Sequence, residues 1–577
     1  MNTSYEQQAE NYIFRLLLQS IIRENLVSFN KTPQGLEIEV PKGGRVEVPV
    51  SRTYILGHID IGGSPVYVDL SGKRQELQRM EELLMLLGFR NESFVKEMMN
   101  SALNYASALE AFDKRKEDVP THQDTWDYIV RRRGEDPDFS PLVFFEQWVI
   151  DGHTTHPGTR TRLPMSPEDV RKYAPEWGAS PGLVPLAVRD DKVGETAPFH
   201  TTMTGALTEA SAEVKKEFEA LSGSYRLIPL HPWQADHTLP VYYKKELEDG
   251  TMIPLASRLP SYALMSFRTM ALAGYGAPHL KTAMNVQMTS AVRTVSAAST
   301  RNAPVMAGLL TEIAGKDADI GETTTFSRDL AGIYYAPGDD GDRNFFEKNA
   351  ASILRENPEA SLKKGEIAMP AAAFISASPV TGSLLIEELA GETTEEAFIS
   401  FLETYARVLL PGVTRLMSEY GIAMEAHLQN TVVILKDRRP VRIDIRDCGG
   451  VRILPERLNR HFKEAPIDPS TKLLTDKEED LTDIFSHALF HNHLGEIIMI
   501  LARRHALPES GMWETVRRVF RESMDAVGTA EAERDQERLM TRPARMKSLV
   551  RMRLSGQFTD YEFVDTPNPF QEGGNPV

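Results

Sequence analysis

The sequence predicts an α+β fold built in three parts. At 577 residues the chain is longer than one hydrophobic core usually organises, so two or three domains are expected. Strand-like alternation is concentrated in the N-terminal and middle regions, whereas the C-terminal region has mostly helical periodicity. We therefore predict domains at residues 1–150, 151–390 and 391–577.

The N-terminal part is predicted to combine one helix, a group of strands and two further helices. Ile13 and Leu17 belong to an apolar stripe with helical spacing over residues 4–25. The segments "LEIEVP", "RVEVPV", "TYILGHI" and "PVYVDL" then alternate like strands and are separated by Gly and Pro. Helices are predicted next, over residues 73–87 and 91–115.

The middle and C-terminal parts differ in their predicted elements. "FFEQWVIDGHTTHPGTRTRLP" opens a loop-rich region, and residues 225–390 read as strands with irregular segments, "SLLIEEL" among them. A long helix is predicted over residues 396–420. It leads into the hairpin "TVVILKDRRPVRIDIR", whose turn is "KDRRP".

Composition and charge exclude several classes of protein. The formal net charge of −17 argues against a nucleic-acid binder, because no excess of Lys and Arg is present to neutralise phosphates. The N-terminus has no export-signal pattern, and no apolar stretch reaches the ~18 residues of a membrane span. A single cysteine, Cys448, allows no internal disulfide. We therefore predict a cytoplasmic protein without a membrane or nucleic-acid partner.

Polar residues stand at both open ends of the predicted hairpin. Glu425, His427 and Asn430 precede its first strand, and Asp447 follows its second. The two strands of a hairpin bring these positions together, and carboxylate and amide oxygens suit Mg²⁺ with nucleotide phosphates. Phosphotransferases of the kinase type use the same layout. The alternative is that Asn430 and Asp447 only cap turns.

A second candidate is the loop "GHTTHPGTRTR", residues 152–162. His156, Arg160 and Arg162 are placed there in a segment punctuated by Gly and Pro. Arg offers paired donors to carboxylates, and His can donate to an oxygen that gains charge, so the loop suits an anion pocket. A surface loop with scattered cations is an equally good interpretation.

A third candidate mixes cations with hydroxyl groups in "LKTAMNVQMTSAVRT", residues 280–294. The residues concerned are Lys281, Thr289, Ser290 and Arg293. Upstream, Ser266 and Arg268 alternate with Phe267, so both are predicted on one face of a strand. Such residues are typical of phosphate or carboxylate sites. For any single one, a solvated strand face explains the pattern as well.

The remaining motifs favour structural roles. His487 and His491 have an i, i+4 spacing, but the HExxH pattern of zinc proteases is absent, so we interpret them as packing residues or as residues that support a neighbouring ligand-binding side chain. No Walker A motif, G-x-S-x-G elbow or CxxC pair occurs. Cys448 is interpreted as a small buried residue.

Taken in order, these motifs resemble one family, the NRPS-independent siderophore synthetases of the aerobactin-synthetase (IucA/IucC) type. The resemblance rests on "GHTTHPGTRTR", "HPWQ", Ser266-Phe267-Arg268, "KTAMNVQMTSAVRT", "EAHLQN", "RDCGG" and "KSLVRMRL", from about residue 140 onward. One motif departs from the family pattern HPxxKxRxG: Arg160 replaces Lys and Pro164 replaces Gly. Because Arg and Lys are not interchangeable at a carboxylate site, the departure bears on which acid is accepted.

The resemblance implies a cupped hand of thumb, fingers and palm domains around a cleft, with the kinase-like hairpin in the palm. It implies an ATP-dependent ligase that converts a carboxylate of citrate, or of a citrate derivative, into an acyl-adenylate and condenses it with an amine. A homodimer is also expected.

The resemblance also implies roles for individual residues. Implied to bind ATP are Ser266, Arg268, Lys281, Thr289, Arg293, His427 and Asn430. Glu425 and Asp447 would bind Mg²⁺. Implied to bind the carboxylate substrate are His156, Arg160, Arg162, Ser290 and Arg293. The catalytic residues are predicted to be Arg293, His156 and Lys281.

Two other functions fit parts of the sequence. A kinase-like phosphotransferase matches the hairpin geometry, but the sequence has no Gly-rich loop in its N-terminal part and no catalytic Asp near His427. A non-catalytic protein that binds citrate or a metal chelate matches the anion-binding motifs. The sequence does not name the amine, and it does not distinguish free citrate from a citrate monoamide or α-ketoglutarate.

Overall fold

The computed structural model describes residues 3–120, 124–338, 342–463, 467–556 and 562–571. Helices and strands alternate along the whole chain, which confirms the mixed α+β class. No helix among these described residues is long and apolar enough to cross a membrane.

The N-terminal elements form one layer of strands and one of helices. They are α1 (Thr3–Arg23), β1 (Phe29–Thr32), β2 (Gly35–Glu39), β3 (Arg45–Thr53), β4 (Ile59–Ile61), β5 (Val66–Val68), β6 (Arg74–Glu76), α2 (Met80–Leu86), α3 (Glu92–Lys116), α4 (Thr125–Glu135) and α5 (Pro141–Trp148).

The middle elements form three further sheets with flanking helices. They are β7 (Arg162–Leu163), α6 (Pro167–Tyr173), β8 (Val184–Arg189), β9 (Val193–Thr196), α7 (Met203–Ala210), α8 (Ala212–Glu219), β10 (Tyr225–Leu230), α9 (Pro232–His237), α10 (Leu239–Tyr242), α11 (Lys244–Glu248), β11 (Met252–Pro254), β12 (Ser261–Ala263), β13 (Thr269–Leu272), β14 (His279–Thr282), β15 (Gln287–Met288), β16 (Ala291–Val292), α12 (Ala297–Lys316), α13 (Ala318–Gly321), β17 (Thr324–Phe326), β18 (Asp329–Tyr335), α14 (Arg343–Asn349), β19 (Ala351–Arg355), β20 (Glu366–Pro370) and α15 (Leu385–Ala390).

The C-terminal elements surround the predicted hairpin with helices. They are α16 (Glu395–Ser418), β21 (Ile422–Ala423), β22 (Thr431–Lys436), β23 (Arg439–Ile445), β24 (Arg452–Ile453), α17 (Pro455–Leu458), α18 (Glu478–Phe485), α19 (Gly495–His505), α20 (Ser510–Val527), α21 (Ala530–Thr541), β25 (Ala544–Lys547), α22 (Leu549–Ser555) and β26 (Phe563–Thr566). A π-helix, Ser486–Leu494, connects α18 to α19.

The N-terminal sheet has the strand order β1-β2-β3-β5-β6, with β4 paired to β3. Its apolar face packs against α1 and α3, where Ile13 and Leu17 are fully buried. The first helix and three of the early strands are thus confirmed, but the strand predicted for "TYILGHI" is wrong, because residues 54–58 form the turn between β3 and β4, in which the Tyr54 N–H donates to the His58 carbonyl. The helix predicted over residues 73–87 is wrong in its first half, because Arg74–Glu76 instead forms β6. Asp69 stabilises the β5–β6 turn by accepting the backbone N–H groups of Ser71 and Lys73.

The middle region holds a six-stranded sheet with the order β12-β13-β14-β19-β18-β9. Helix α12 packs on β18, in a stretch for which only strands and irregular segments were predicted. The helix is rich in alanine, and Ser296 caps its N-terminus. "SLLIEEL" is also helical, as α15, because a short apolar run does not distinguish a strand from a buried helix turn.

The C-terminal sheet has the order β17-β23-β22-β20 and contains the predicted hairpin. Asp437 and Arg438 both have positive φ angles, as a tight two-residue turn requires. Thr431 pairs with Ile445, and the Arg446 N–H donates to the Asn430 carbonyl at 3.0 Å. The predicted hairpin and the helix before it are confirmed, and the register brings the two polar ends together.

One large hydrophobic core joins these parts. It is centred on α16, α19 and α20, and it also takes Tyr128 from α4, Phe145 from α5 and Leu310 from α12. The proposed boundaries near residues 150 and 390 therefore stay predictions, and the packing crosses both of them.

The contact between α12 and β18 generates a stability prediction. A Cβ added at Gly332 would lie 2.0 Å from the Thr300 carbonyl oxygen, so Gly332→Ala must displace backbone. We expect this substitution to lower the free energy of unfolding by about 3 kcal/mol in urea titrations. Gly315→Ala is the matched control, since that exposed α12 position has open space around it. It should raise stability by about 0.5–1 kcal/mol. Equal urea midpoints of unfolding for Gly332→Ala and Gly315→Ala would contradict the close packing of Gly332 against Thr300.

Candidate active site

The candidate site lies where the end of the β22–β23 hairpin meets strand β14 of the middle sheet. Asp447 lies two residues after the end of β23, and Lys281 reaches it from β14. Both carboxylate oxygens of Asp447 accept from the Lys281 ammonium group, at 2.6 and 2.7 Å. One ion pair thus connects two sheets that are far apart in sequence.

Arg355 is a second cation at Asp447, and no sequence motif indicated it. Its Nη2 lies 3.5 Å from Asp447 Oδ1, while its Nε donates to Asp329 at 2.7 Å. His279 pairs with Arg355 across β14 and β19, so Lys281, two residues further, shares this sheet face. Arg355 ends the apolar strand "ASILR". This single charged residue at the end of an apolar strand was the only indication of the contact in the sequence.

The surroundings of Asp447 hold it ionised. Burial alone would raise its pKa, but Lys281, Arg355 and Arg268 together keep that pKa well below the ordinary value. Burial also lowers the pKa of Lys281 to about 8, against the opposing effect of Asp447. Asp447 has φ 61° and ψ 66°, a left-handed conformation that Asp and Asn tolerate better than most residues.

Glu425 forms the second carboxylate–lysine pair of the site. Its Oε1 accepts from Lys547 at 2.6 Å. A Cβ added at Gly450 would lie 2.0 Å from Glu425 Oε2, so this carboxylate packs directly against the turn that follows Asp447. Burial opposes ionisation, yet Lys547 and His427 keep the pKa of Glu425 below its usual value.

His427 and Asn430 lie between these two carboxylates. The Asn430 N–H donates to the His427 carbonyl at 3.0 Å, and its side-chain nitrogen donates to the Glu425 carbonyl at 3.2 Å. The amide oxygen of Asn430 therefore points away from that carbonyl. Burial lowers the pKa of His427, and both Glu425 and Asp447 act in the opposite direction. The structure thus brings together the four polar residues predicted at the hairpin end.

The loop of residues 152–162 places a neutral histidine near this cleft. His156 is fully buried, and its Nδ1 accepts the Gly158 N–H at 2.8 Å. Nε2 is therefore the protonated nitrogen, and it has no hydrogen-bond partner within the described ranges. Burial lowers the pKa of His156 to about 3, and the charges of His153 and Arg293 contribute. The loop thus supplies one buried N–H group that can donate a hydrogen bond to a ligand.

Arg160 and Arg162 have partners of their own. Glu176 binds Arg162 at 2.6 and 3.0 Å and Arg160 at 3.3 Å, and all three side chains are buried. Arg160 also donates to the Val149 carbonyl at 3.0 Å, and Arg162 lies over the Phe267 ring. These contacts fix the loop. Their predicted role in binding a carboxylate stays a prediction that the observed contacts do not support.

Arg293 follows a small hairpin at the same cleft. β15 and β16 pair through a turn formed by Thr289 and Ser290, and Thr289 has φ 58°. The positive charge of Arg293 contributes to the lowered pKa values of His153, His156 and Arg268. Its guanidinium is therefore close both to the histidine loop and to the cations around Asp447.

Ser266 and Arg268 differ from their predicted setting. They belong to the turn between β12 and β13, not to a strand, because Leu264 already pairs with Thr269 through a backbone hydrogen bond. Arg268 donates to the Thr294 carbonyl at 2.5 Å, next to Arg293. The turn still brings Arg268 to the cleft, since Asp447 acts on the pKa of Arg268, whereas the Ser266 hydroxyl accepts from Thr269.

His487 and His491 have packing roles, as predicted. His491 Nδ1 accepts from the Arg23 guanidinium at 3.1 Å, and its Nε2–H donates to the Thr566 hydroxyl oxygen at 3.0 Å. His487 Nδ1 accepts the Lys547 N–H at 3.1 Å. Across the described part of the chain, no three His, Cys, Asp or Glu side chains cluster as a metal site. Glu425 and Asp447 have the carboxylate oxygens that Mg²⁺ prefers. In this structure these oxygens accept from Lys547 and Lys281, so the predicted Mg²⁺ site stays a prediction.

Comparisons with known proteins identify relatives of this chain. The sequence profile of the IucA / IucC family matches residues 141–376, and that of the ferric iron reductase FhuF-like transporter family matches residues 400–559. Staphyloferrin A synthase of Staphylococcus aureus is 28% identical over 441 residues, 75% of this chain and 73% of that protein. D-ornithine–citrate ligase of the same species is 26% identical, with 98% of this chain and 94% of that protein covered.

A solved structure extends the similarity to the fold. ATP-bound aerobactin synthetase IucA of Klebsiella pneumoniae matches with a TM-score of 0.76 at 19% identity, over 97% of this chain and 99% of that one. The fold is therefore that of the siderophore synthetases. The chain is similar to the IucA / IucC family over residues 141–376, and together with the two relatives this confirms the resemblance carried by the motifs.

The ion pairs of Glu176 with Arg160 and Arg162, called the Glu176 cluster, lead to a prediction about residues 152–162, called the histidine loop. Glu176→Gln preserves side-chain volume but leaves Arg160 and Arg162 buried without a counter-charge. We expect it to lower the free energy of unfolding by about 3 kcal/mol, measured by urea titration at neutral pH. Glu47→Gln is the control, because Glu47 pairs with Arg45 and Arg74 at the surface. It should cost less than about 1 kcal/mol. A Glu176→Gln protein as stable as the control would show that the cluster does not secure the loop.

Proposed function

We propose that this chain is an ATP-dependent ligase of siderophore biosynthesis. It activates a carboxylate of citrate, or of a citrate derivative, as an acyl-adenylate and condenses it with an amine to form an amide. The observation that carries the proposal is the convergence of cations at the hairpin end: Lys281 and Arg355 contact Asp447, and Arg268 donates to the carbonyl of Thr294, next to Arg293. We propose that Arg293 contacts both the substrate carboxylate and a nucleotide phosphate in this cleft.

The nucleotide is assigned to the cationic side of the cleft. Proposed to bind ATP are Ser266, Arg268, Lys281, Thr289, Arg293, His427 and Asn430. Lys281 and Arg268 already surround a carboxylate, Asp447, so the cleft is organised to hold negative charge. Glu425 and Asp447 are proposed to hold Mg²⁺, whose chemistry here would be to offset phosphate charge.

The acid substrate is assigned to the histidine loop and the small hairpin. We propose that the His156 Nε2–H, the Ser290 hydroxyl and Arg293 bind its carboxylates. Arg160 and Arg162 are proposed to act indirectly, by holding the loop through Glu176. Arginine at position 160, where the family commonly has lysine, thus has a structural explanation in this chain.

The reaction proceeds in two balanced steps. A carboxylate oxygen attacks the α-phosphorus of ATP, a P–O bond forms, and pyrophosphate leaves. The amine then attacks the acyl carbon, the bond to the AMP oxygen breaks, and the amine nitrogen loses a proton. The first step brings two anions together, so fixed cations such as Arg293 and Lys281 stabilise its transition state most.

The larger arrangement follows the resemblance. We propose that residues 1–150, 151–390 and 391–577 are the thumb, fingers and palm of a cupped hand, with the kinase-like hairpin in the palm. A cytoplasmic homodimer is proposed on the same ground.

Product analysis tests the proposed reaction directly. With citrate, ATP, Mg²⁺ and a panel of polyamines and amino acids, we expect AMP and pyrophosphate in equal amounts, together with an amide detected by mass spectrometry. ADP as the primary nucleotide product would indicate a phosphotransferase instead. Citrate binding without any nucleotide turnover would indicate a non-catalytic binding protein.

The substitution Asp447→Asn tests the role of the negative charge at the hairpin end, because it removes the charge and keeps the shape of the side chain. Asn retains the volume and tolerates the left-handed backbone, so the fold should be preserved, while the thermal midpoint should fall because buried Lys281 loses its counter-charge. We expect kcat to fall by at least ~100-fold, because one preorganised electrostatic group is lost. Asp468→Asn, at an ion pair with Arg301 outside the cleft, is the control. Near-normal turnover of Asp447→Asn at saturating Mg²⁺ would assign Asp447 to the turn alone.

Arg293→Ala and Arg293→Lys test the proposed meeting point. Removing the guanidinium should lower kcat/KM by at least ~100-fold, and Lys should restore only part of it because a single ammonium group cannot bridge two anions. Rates measured with citrate and ATP varied separately should both be affected. Arg328→Ala, which loses an ion pair with Glu356, is the control. Normal kinetics for both acid and ATP would exclude the bridging role.

A further inference from the structure

A buried carboxylate outside the proposed substrate-binding residues contacts both halves of the cleft. Glu146, in α5, has no exposed surface. Its Oε2 accepts the Met265 N–H at 2.9 Å, and its Oε1 accepts from the Arg446 guanidinium. Met265 precedes Ser266, and Arg446 precedes Asp447. One side chain therefore bonds to the residue before each of two candidate ligand-binding segments.

Arg446 extends this connection across the hairpin end. Its Nε and Nη2 donate to the Gln429 carbonyl at 3.1 and 2.8 Å, and its backbone N–H donates to the Asn430 carbonyl at 3.0 Å. The guanidinium is buried, with 5% of the residue exposed. Asn430 and Asp447 are thus held at a fixed separation by the same residue that bonds Glu146.

We propose that Glu146 and Arg446 are positioning residues that align the β12–β13 turn with the end of the β22–β23 hairpin. Neither one touches the substrate. Together they set the distance between Ser266 and Arg268 on one side and Asn430 and Asp447 on the other. That the ligand between them is ATP rests on the proposed function. The alignment itself rests on the observed hydrogen bonds.

The energetics favour positioning over simple stabilisation. A buried ion pair often contributes no more stability than apolar residues of equal volume, because both charges lose their hydration. Here the ion pair fixes the orientation of both side chains, because Glu146 Oε2 and Arg446 Nε and Nη2 also form hydrogen bonds with backbone atoms. Displacing a binding group by about 1 Å can lower the rate ~100-fold, so a fixed brace between two segments has a large effect on catalysis.

The test compares Glu146→Gln with Asp535→Asn. The glutamine side chain would keep the volume and an acceptor for the Met265 N–H but lose the charge that orients Arg446. Asp535 pairs with Arg457 at 2.6 Å, a pair as deeply buried as the first, and Arg457 also contacts the carbonyls of α16. This second pair controls for the general effect of losing a buried ion pair. Arg446→Lys is the conservative second variant, keeping the charge without the planar set of donors.

The first readout is hydrogen–deuterium exchange of the full chain without nucleotide. Peptides covering residues 265–269 and 446–450 should both exchange about fivefold faster in Glu146→Gln and in Arg446→Lys, but not in Asp535→Asn. Unchanged exchange in either segment overturns the proposal. Because no nucleotide is present, this result does not depend on the proposed function.

The second readout is binding of ATP by calorimetry and the steady-state KM values. We expect Glu146→Gln to weaken ATP binding by about tenfold or more while the KM for citrate changes by less than about twofold. Equal loss of ATP affinity in Asp535→Asn would reduce the role of Glu146 to stability and overturn the proposal. Absence of ATP binding by the parent protein would overturn the proposed function instead, and the exchange result would still decide the alignment.

Discussion

The ion pair between Asp447 and Lys281 is the contact on which the cleft depends. It joins the end of β23 in the C-terminal sheet to β14 in the middle sheet, and Arg355 and Arg268 add positive charge around the same carboxylate. The carboxylate cannot be neutralised at ordinary pH, because each of these cations favours its ionised form. The site is therefore preformed: its charges are desolvated and oriented before any ligand arrives, which is the condition under which fixed charges contribute most to a reaction.

This local chemistry contrasts with the overall charge of the protein. The chain carries a formal net charge of −17, yet five cations, Arg268, Lys281, Arg293, Arg355 and Lys547, lie around the cleft. Two of them neutralise the cleft's two carboxylates, and the cleft keeps a positive remainder that attracts anionic ligands. Concentrating cations in one cleft of an acidic surface focuses the field on that cleft and disfavours anions elsewhere.

Sequence reasoning succeeded where the signal was local. The hairpin was predicted because residues 431–446 alternate around a tight turn, and strand pairing then dictates that Asn430 and Asp447 are neighbours. It failed where a partner lies far along the chain. The missed residues contact partners across more than one sheet; they are Arg355, Glu146 and Arg446. Nothing in "ASILR" or "FFEQW" indicates that their side chains form buried polar contacts. Similarly, Arg160 and Arg162 seemed available for a ligand until the structure revealed Glu176 between them.

The shared core has a mechanical consequence for access to the cleft. Residues from α4, α5 and α12 pack into the same hydrophobic cluster as α16, α19 and α20. Rigid-body opening about a hinge would expose that apolar surface to water, at a free-energy cost proportional to its area. The elements that share this core therefore resist opening relative to one another. Substrate entry and product departure then depend on exposed short segments such as the β15–β16 hairpin, whose displacement leaves the core intact.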